Sequence, residues 1–187
     1  MKNSNNLTLT KGKRKKRRKS PNFEFSENYR WKLFSLYIRL RDTDKNGYGE
    51  CCTCKRPMQI VQNGKFLNTS HAGHCYSRGC KSIKYHEANV NLQCSYCNNP
   101  NWGGMPQGKY IEFIIRKYGK DTLDLLILKM DYEKRMSFKE PLFAKKEAVN
   151  QYEKDIVKLM KDKSDEILSA ILNRPDYKNI KKIYNNT

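Results

Sequence analysis

The chain has 187 residues and a formal charge of +19, from 38 Lys and Arg against 19 Asp and Glu, with a mass of 22.1 kDa and an isoelectric point near 9.7. That length holds one compact domain with extensions or two very small ones, and a mean hydropathy of −0.91 without any apolar run near the roughly 20 residues of a bilayer span excludes an integral membrane protein. Such a charge makes a polyanion the expected partner, nucleic acid by default.

In chain order, the first 20 residues carry nine cations, Lys2, Lys11, Lys13, Arg14, Lys15, Lys16, Arg17, Arg18 and Lys19, with no acid and little apolar surface. Residues 1–21 are therefore expected to be a disordered basic arm. The remainder keeps a formal +10, so the arm is read as a DNA phosphate contact adding affinity and salt dependence, with a nuclear address as the alternative. Leu33, Leu36, Tyr37 and Leu40 fall at i, i+3, i+4 and i+7, which predicts an amphipathic helix from an N-cap at Ser26 to a polar exit at Asp42 to Gly47. Trp31, Phe34 and Ile38 widen its apolar face, leaving Lys32, Ser35 and Arg39 as a narrow basic strip. Residues 48–100 are rich in Cys, Gly and Asn, with β-like runs only at 65–67, 81–85 and 90–92, as in a small unit stapled by metal.

Two short helices are predicted over 108–131, broken at Tyr118-Gly119, the second capped by Asp121 and burying Leu125, Leu126 and Leu128. Ser137-Phe138-Lys139-Glu140 fits a capping box before Pro141. Val149, Tyr152, Ile156 and Leu159 stripe a long helix, a shorter one follows Ser164 and stops before Pro175, and 176–187 reads as a basic tail with no assigned element. The expected fold class is α+β, with the arm over 1–21, a helix plus zinc-bound core over 22–106 and a helical region over 107–175.

No apolar signal-peptide stretch follows the N-terminal charges, so the seven cysteines are read in a reducing, cytoplasmic compartment, where metal sites outweigh disulfides. Cys51-x-x-Cys54 and Cys94-x-x-Cys97 form two pairs about 40 residues apart. Two residues between cysteines let both thiolates of a tight turn face one cation, and two such turns complete a tetrahedral shell of four sulfurs. A closed shell leaves no open position, so this Zn²⁺ is expected to be structural. Cys52 is expected to point away from the pair, its alternative being to swap in as a ligand, and Cys75 and Cys80 are read as partly buried filler.

Between the pairs stand His71-Ala72-Gly73-His74 and Asn89, and Asn98 follows Cys97 directly. A His ending one strand, an Asn five residues before a knuckle Cys and an Asn just after the last one resemble the HNH arrangement, the ββα-metal site of His-Me finger nucleases. Its logic is that phosphodiester cleavage needs a base to deprotonate water and a divalent cation to stabilise the leaving oxygen. On this resemblance His74 is the general base, Asn89 holds the imidazole or its loop, and Asn98 offers an oxygen to Mg²⁺ or Mn²⁺. Arg78 is a candidate phosphate clamp or a solvated loop residue. Many HNH sites carry Asp or His directly before the base; Gly73 supplies no ligand, leaving His71, His86 and Glu87 as candidates. Asn89 also fits a plain turn role, Asn98 a helix cap, and Trp102 either a base-stacking or a packing role.

Tyr37-Ile38-Arg39-Leu40-Arg41-Asp42, Cys51-x-x-Cys54, Ala72-Gly73-His74 with Ser77-Arg78, Asn89 through Gln93-Cys94-x-x-Cys97-Asn98, and Tyr110-x-x-x-Ile114 with Tyr118-Gly119 together resemble the phage lambda-type NinG (Rap) recombination nucleases, over about residues 27–160. The resemblance implies a structure-specific endonuclease acting on branched DNA such as Holliday junctions and D-loops, and symmetric cutting of two strands favours a homodimer. Two rivals stand beside it. A sequence-specific HNH homing or restriction-type nuclease would cut a defined linear duplex, and a non-catalytic zinc-ribbon binding protein would have no use for His74 or Asn98.

Overall fold

The computed structural model describes residues 26–99, 107–136, 138–139 and 142–187. Ser26 opens the first helix, α1 (Glu27–Arg41), accepting a hydrogen bond from the Tyr29 N–H at 3.2 Å, as the sequence predicts. Leu33, Phe34, Leu36, Ile38 and Leu40 are fully buried along it. The chain then forms three antiparallel two-stranded ribbons: β1 (Tyr48–Glu50) with β2 (Pro57–Gln59), β3 (Val61–Gln62) with β4 (Lys65–Phe66), and β5 (Ser70–His74) with β6 (Val90–Cys94). A short helix, α2 (Ser95–Asn98), follows β6 directly, capped by the Cys94 thiol. After it come α3 (Gln107–Tyr118), α4 (Lys120–Arg135), α5 (Leu142–Met160), α6 (Asp165–Leu172) and α7 (Lys178–Tyr184). The architecture is α+β.

The largest core joins α1 to the β-ribbons and to α5, α6 and α7 through Leu36, Leu40, Ile60, Leu92, Ile156, Met160, Ile171 and Ile180. The C-terminal run, given no element from sequence, closes this core with the buried Tyr177 and Ile180. A second core lies on the other face of the β5–β6 ribbon. There Cys52, Cys75, Ile83 and Ala88 meet Tyr110 and Ile114 of α3 and Leu123 and Leu126 of α4.

A polar knot locks this second core to the first. The fully buried Asn91 donates to the Ala88 carbonyl (3.1 Å) and the Tyr110 hydroxyl (3.4 Å) and accepts from Arg41 (2.9 Å) and Tyr118 (2.7 Å). Asp42 accepts two bonds from Arg41 (2.9 and 2.8 Å), one from Lys117 (3.0 Å) and one from the Leu92 N–H (3.0 Å). Burial pushes the Asp42 carboxyl up, but Arg41 and Lys117 outweigh it and hold the group below its ordinary value.

Three local expectations are corrected. Residues 81–85 form turns, because their polar backbone is consumed elsewhere: Glu133 accepts from the Lys81 and Ser82 N–H groups (3.0 and 2.7 Å), and the Ile83 and Lys84 carbonyls accept from Asn89 and His74. Asp121 does not cap α4. Gly119 occupies the N-cap at φ 87°, and Asp121 sits in the first turn, where its charge complements the helix dipole. Of Leu125, Leu126 and Leu128 only Leu126 is buried, and Leu128 is 66% exposed, since α4 packs through one stripe alone. Lys13, Arg14, Lys15, Lys16, Arg17, Arg18, Trp102, Ser137, Glu140 and Pro141 lie outside the described residues.

Candidate active site

Cys51 and Cys54 stand in the turn after β1, Cys94 ends β6 and Cys97 lies in α2. All four sulfur atoms lie within 4.8 Å of one another, and the Cys54 and Cys94 sulfurs are 3.8 Å apart, about the edge of a tetrahedron with zinc–sulfur bonds near 2.3 Å. Lys55, at φ 63°, turns the chain through the left-handed region and returns its N–H to the Cys51 carbonyl at 3.0 Å. The Cys94 N–H points at Cys51 Sγ and the Cys97 N–H at Cys94 Sγ, each at 3.4 Å. Cys52 leads the groups lowering the Cys51 thiol, and the surrounding backbone N–H groups add to it. These donors suit thiolates, so the residues present fit a structural Zn²⁺ bound by four cysteines. Cys52 points into the second core with its thiol pushed up by burial. Cys75 is buried there as well, and Cys80 donates to Glu133 at 3.1 Å; none of the three joins the cluster.

Beside this cluster, a cleft of about 740 Å³ runs along β5, lined by Trp31, Arg39, His71, His74, Arg78, Asn98 and Arg174 among others. His74 ends β5, and its ring lies 4.9 Å from the Trp31 ring at an interplanar angle of 23°. His74 Nε2 is 3.0 Å from the Lys84 carbonyl. A carbonyl only accepts, so Nε2 carries the proton and Nδ1 holds the lone pair. Burial, with the nearby Arg78 and Lys84 charges, lowers the pKa of His74 to about 4 despite the bond to the Lys84 carbonyl. At neutral pH the ring is thus an uncharged base with a fixed tautomer.

Asn89 is fully buried and does not touch the imidazole. Its Oδ1 accepts from the Tyr76 N–H (2.8 Å), and its Nδ2 donates to the Tyr76 and Ile83 carbonyls (3.3 and 3.1 Å). These bonds tie it to the loop that supplies the Lys84 carbonyl. Asn98 is exposed at the end of α2, where Cys94 and Asn99 take the capping positions. Its Oδ1 lies 2.9 Å from the point where a Cβ on Gly73 would stand, and among the described residues it has no hydrogen-bond donor. Arg78 sits at the cleft rim with its guanidinium 5.8 Å from the Trp31 ring. A second basic depression, lined by Lys81, Lys84, Lys139 and Lys145, also includes Arg78.

Of the three other candidate ligands, only His71 lines the cleft, and its Nε2 is held by the Asn68 carbonyl at 2.9 Å. Glu87 is taken by Tyr37 (3.0 Å) and Arg41 (3.2 Å), and His86 Nδ1 accepts from the Ala88 N–H. A hard divalent cation here would draw on side-chain oxygens at the Gly73 edge of β5, where Asn98 stands. Trp31, from the apolar face of α1, and Arg174, from the far end of the chain, also line the cleft, and no local sequence signal marks either for it.

Among the described residues no helix is long and apolar enough to cross a membrane. A family model described as Bacteriophage Lambda NinG protein matches residues 2–163. No curated protein and no solved structure gives a match.

Proposed function

Because the chain belongs to the bacteriophage lambda NinG family, we propose that it is a metal-dependent endonuclease that hydrolyses phosphodiester bonds in branched DNA, with β5, β6 and α2 as an HNH-type ββα-metal core. The observation that carries this reading is His74, an uncharged imidazole with Nδ1 free, lying in a cleft lined by Arg39, Arg78, Arg174 and Asn98. Nδ1 takes the proton of the attacking water. The Lys84 carbonyl holds the tautomer, Trp31 fixes the ring plane by stacking, and Asn89 keeps the loop in register behind both. Arg78, Arg39 and Arg174 receive the phosphates flanking the scissile bond. Asn98 would hold a divalent cation, Mg²⁺ or Mn²⁺, whose chemistry would be to offset the charge developing on the leaving oxygen. A Zn²⁺ held by Cys51, Cys54, Cys94 and Cys97 would leave no open position and would fix α2, and so Asn98, against β5. Lys13, Arg14, Lys15, Lys16, Arg17 and Arg18 add sequence-independent backbone contacts. Symmetric cutting of a junction favours a homodimer, which brings two such sites to it.

The test is incubation of the zinc-loaded protein with Mg²⁺ or Mn²⁺ and a panel of linear, nicked, D-loop and four-way-junction DNAs. Wild type is expected to cut the branched substrates. His74→Ala is expected to bind them unchanged and cut about 10²- to 10⁴-fold more slowly, the usual worth of a general base. Cleavage of one linear sequence alone would favour a homing-type enzyme, and no cleavage with any metal would leave a zinc-ribbon binding protein.

A further inference from the structure

Gly73 has no side chain to offer, yet the space beside it is filled. A Cβ built there would overlap Gln93 Oε1, stand 2.8 Å from Gln93 Cβ and stand 2.9 Å from Asn98 Oδ1. Two amide oxygens thus lie within 2.9 Å of one point at the edge of β5. The β5–β6 register sets Gln93 directly across from His71, on the strand face that Gly73 shares. Gln93 is only 5% exposed, and its amide is oriented by one bond: Nε2 donates to Thr53 Oγ1 at 2.8 Å. That bond turns Oε1 toward Gly73, where among the described residues no N–H or O–H donates to it. Asn98 Oδ1 has no donor either.

Gln93 Oε1 is not sealed from solvent, so both amide oxygens, neither with a protein donor, stay open to a ligand beside Gly73, and two partial negative charges near one point disfavour each other. What satisfies such a pair is a positive centre between or just outside them. Hard divalent cations take oxygen ligands, amide oxygens included, and Mg²⁺ keeps most of its waters while using only one or two protein groups. Resting on the nuclease reading above, we infer that Gln93 supplies the ligand Gly73 cannot, so that Gln93 Oε1 and Asn98 Oδ1 together hold the divalent cation. The glycine follows from the same arrangement: any Cβ at position 73 would push the Gln93 amide out of place.

The test is Mn²⁺ titration of the zinc-loaded chain, read by the electron paramagnetic resonance signal of free Mn²⁺, with zinc content measured on every variant. Gln93→Leu is expected to weaken Mn²⁺ binding by about tenfold or more, and Asn98→Ala to do the same. Gln93→Glu puts a charged oxygen where the amide oxygen stood and is expected to tighten binding. A purely structural Gln93 predicts no such opposite pair, and the Glu variant decides the matter even if the Leu variant loses zinc. Undiminished Mn²⁺ affinity in Gln93→Leu alongside a loss in Asn98→Ala overturns the role of Gln93 and leaves the nuclease reading intact. Binding unaffected by either change, or absent from wild type, overturns the cation site itself.

Discussion

His74 illustrates how much of a site's chemistry resides in neighbours that carry none of their own. Its base strength is set by burial, by Arg78 and by Lys84, and its tautomer by one backbone carbonyl. Because Trp31 stacks on the imidazole, protonation of the ring should quench Trp31 fluorescence. In a Trp102→Phe background the quenching midpoint is expected near pH 4, and a midpoint near 6.5 would mean the ring is solvated. The same depression makes stability depend on pH. An unfolded His takes up its proton below about 6.5 and the folded one only below about 4. Between those values the unfolded chain binds more protons, so this contribution is complete above pH 6.5 and is lost as pH falls toward 4, on the order of 3 kcal/mol in all. Urea unfolding of wild type and His74→Gln should show the gap between them change across that window, with wild type losing more.

At the scale of elements, short strands are placed by what crosses them. β1 is only three residues long, and it sits where it does because Gly49 lets the end of α1 come close. A Cβ at Gly49 would stand 2.5 Å from the Asp42 carbonyl oxygen and 2.9 Å from Leu92 Cδ2. Backbone cannot yield as the tip of a flexible side chain can. Gly49→Ala is therefore expected to lower the free energy of unfolding by about 1 to 3 kcal/mol, whereas a midpoint within error of wild type would show that the ribbon can shift freely. The turns over 81–85 make the same point from the other side. A β-like composition did not become a strand because Glu133, Asn89 and His74 took its hydrogen-bonding groups, and a side chain about 50 residues away cannot be read from a local window.

For the whole molecule, the four-cysteine cluster and the Asp42–Asn91 knot act as two ties between segments distant in sequence. The cluster joins the turn after β1 to the start of α2, and the knot joins α1 and β6 to α3. Neither the ribbons nor the four-residue α2 would stand alone in water. Removal of zinc with a chelator is thus expected to abolish the cooperative thermal transition seen by circular dichroism, and added Zn²⁺ to restore it. A transition that survives chelation would mean that the apolar core alone fixes the cleft.

The sequence by itself determined the family resemblance, the helix from Ser26, the break at Gly119, the set of four clustered cysteines and the set of candidate site residues, since spacing, capping and charge are local properties written residue by residue. The tertiary structure alone decided that Trp31 stacks on His74, that Asn89 bonds Tyr76 and Ile83 and not the ring, that Glu87 bonds Tyr37 and Arg41, that Leu125 and Leu128 face outward, and that Gln93 fills the space beside Gly73. Each of those depends on which face of a strand or helix meets which neighbour across long stretches of chain. That is settled by packing and by the satisfaction of buried polar groups over the whole fold, and no single segment encodes it.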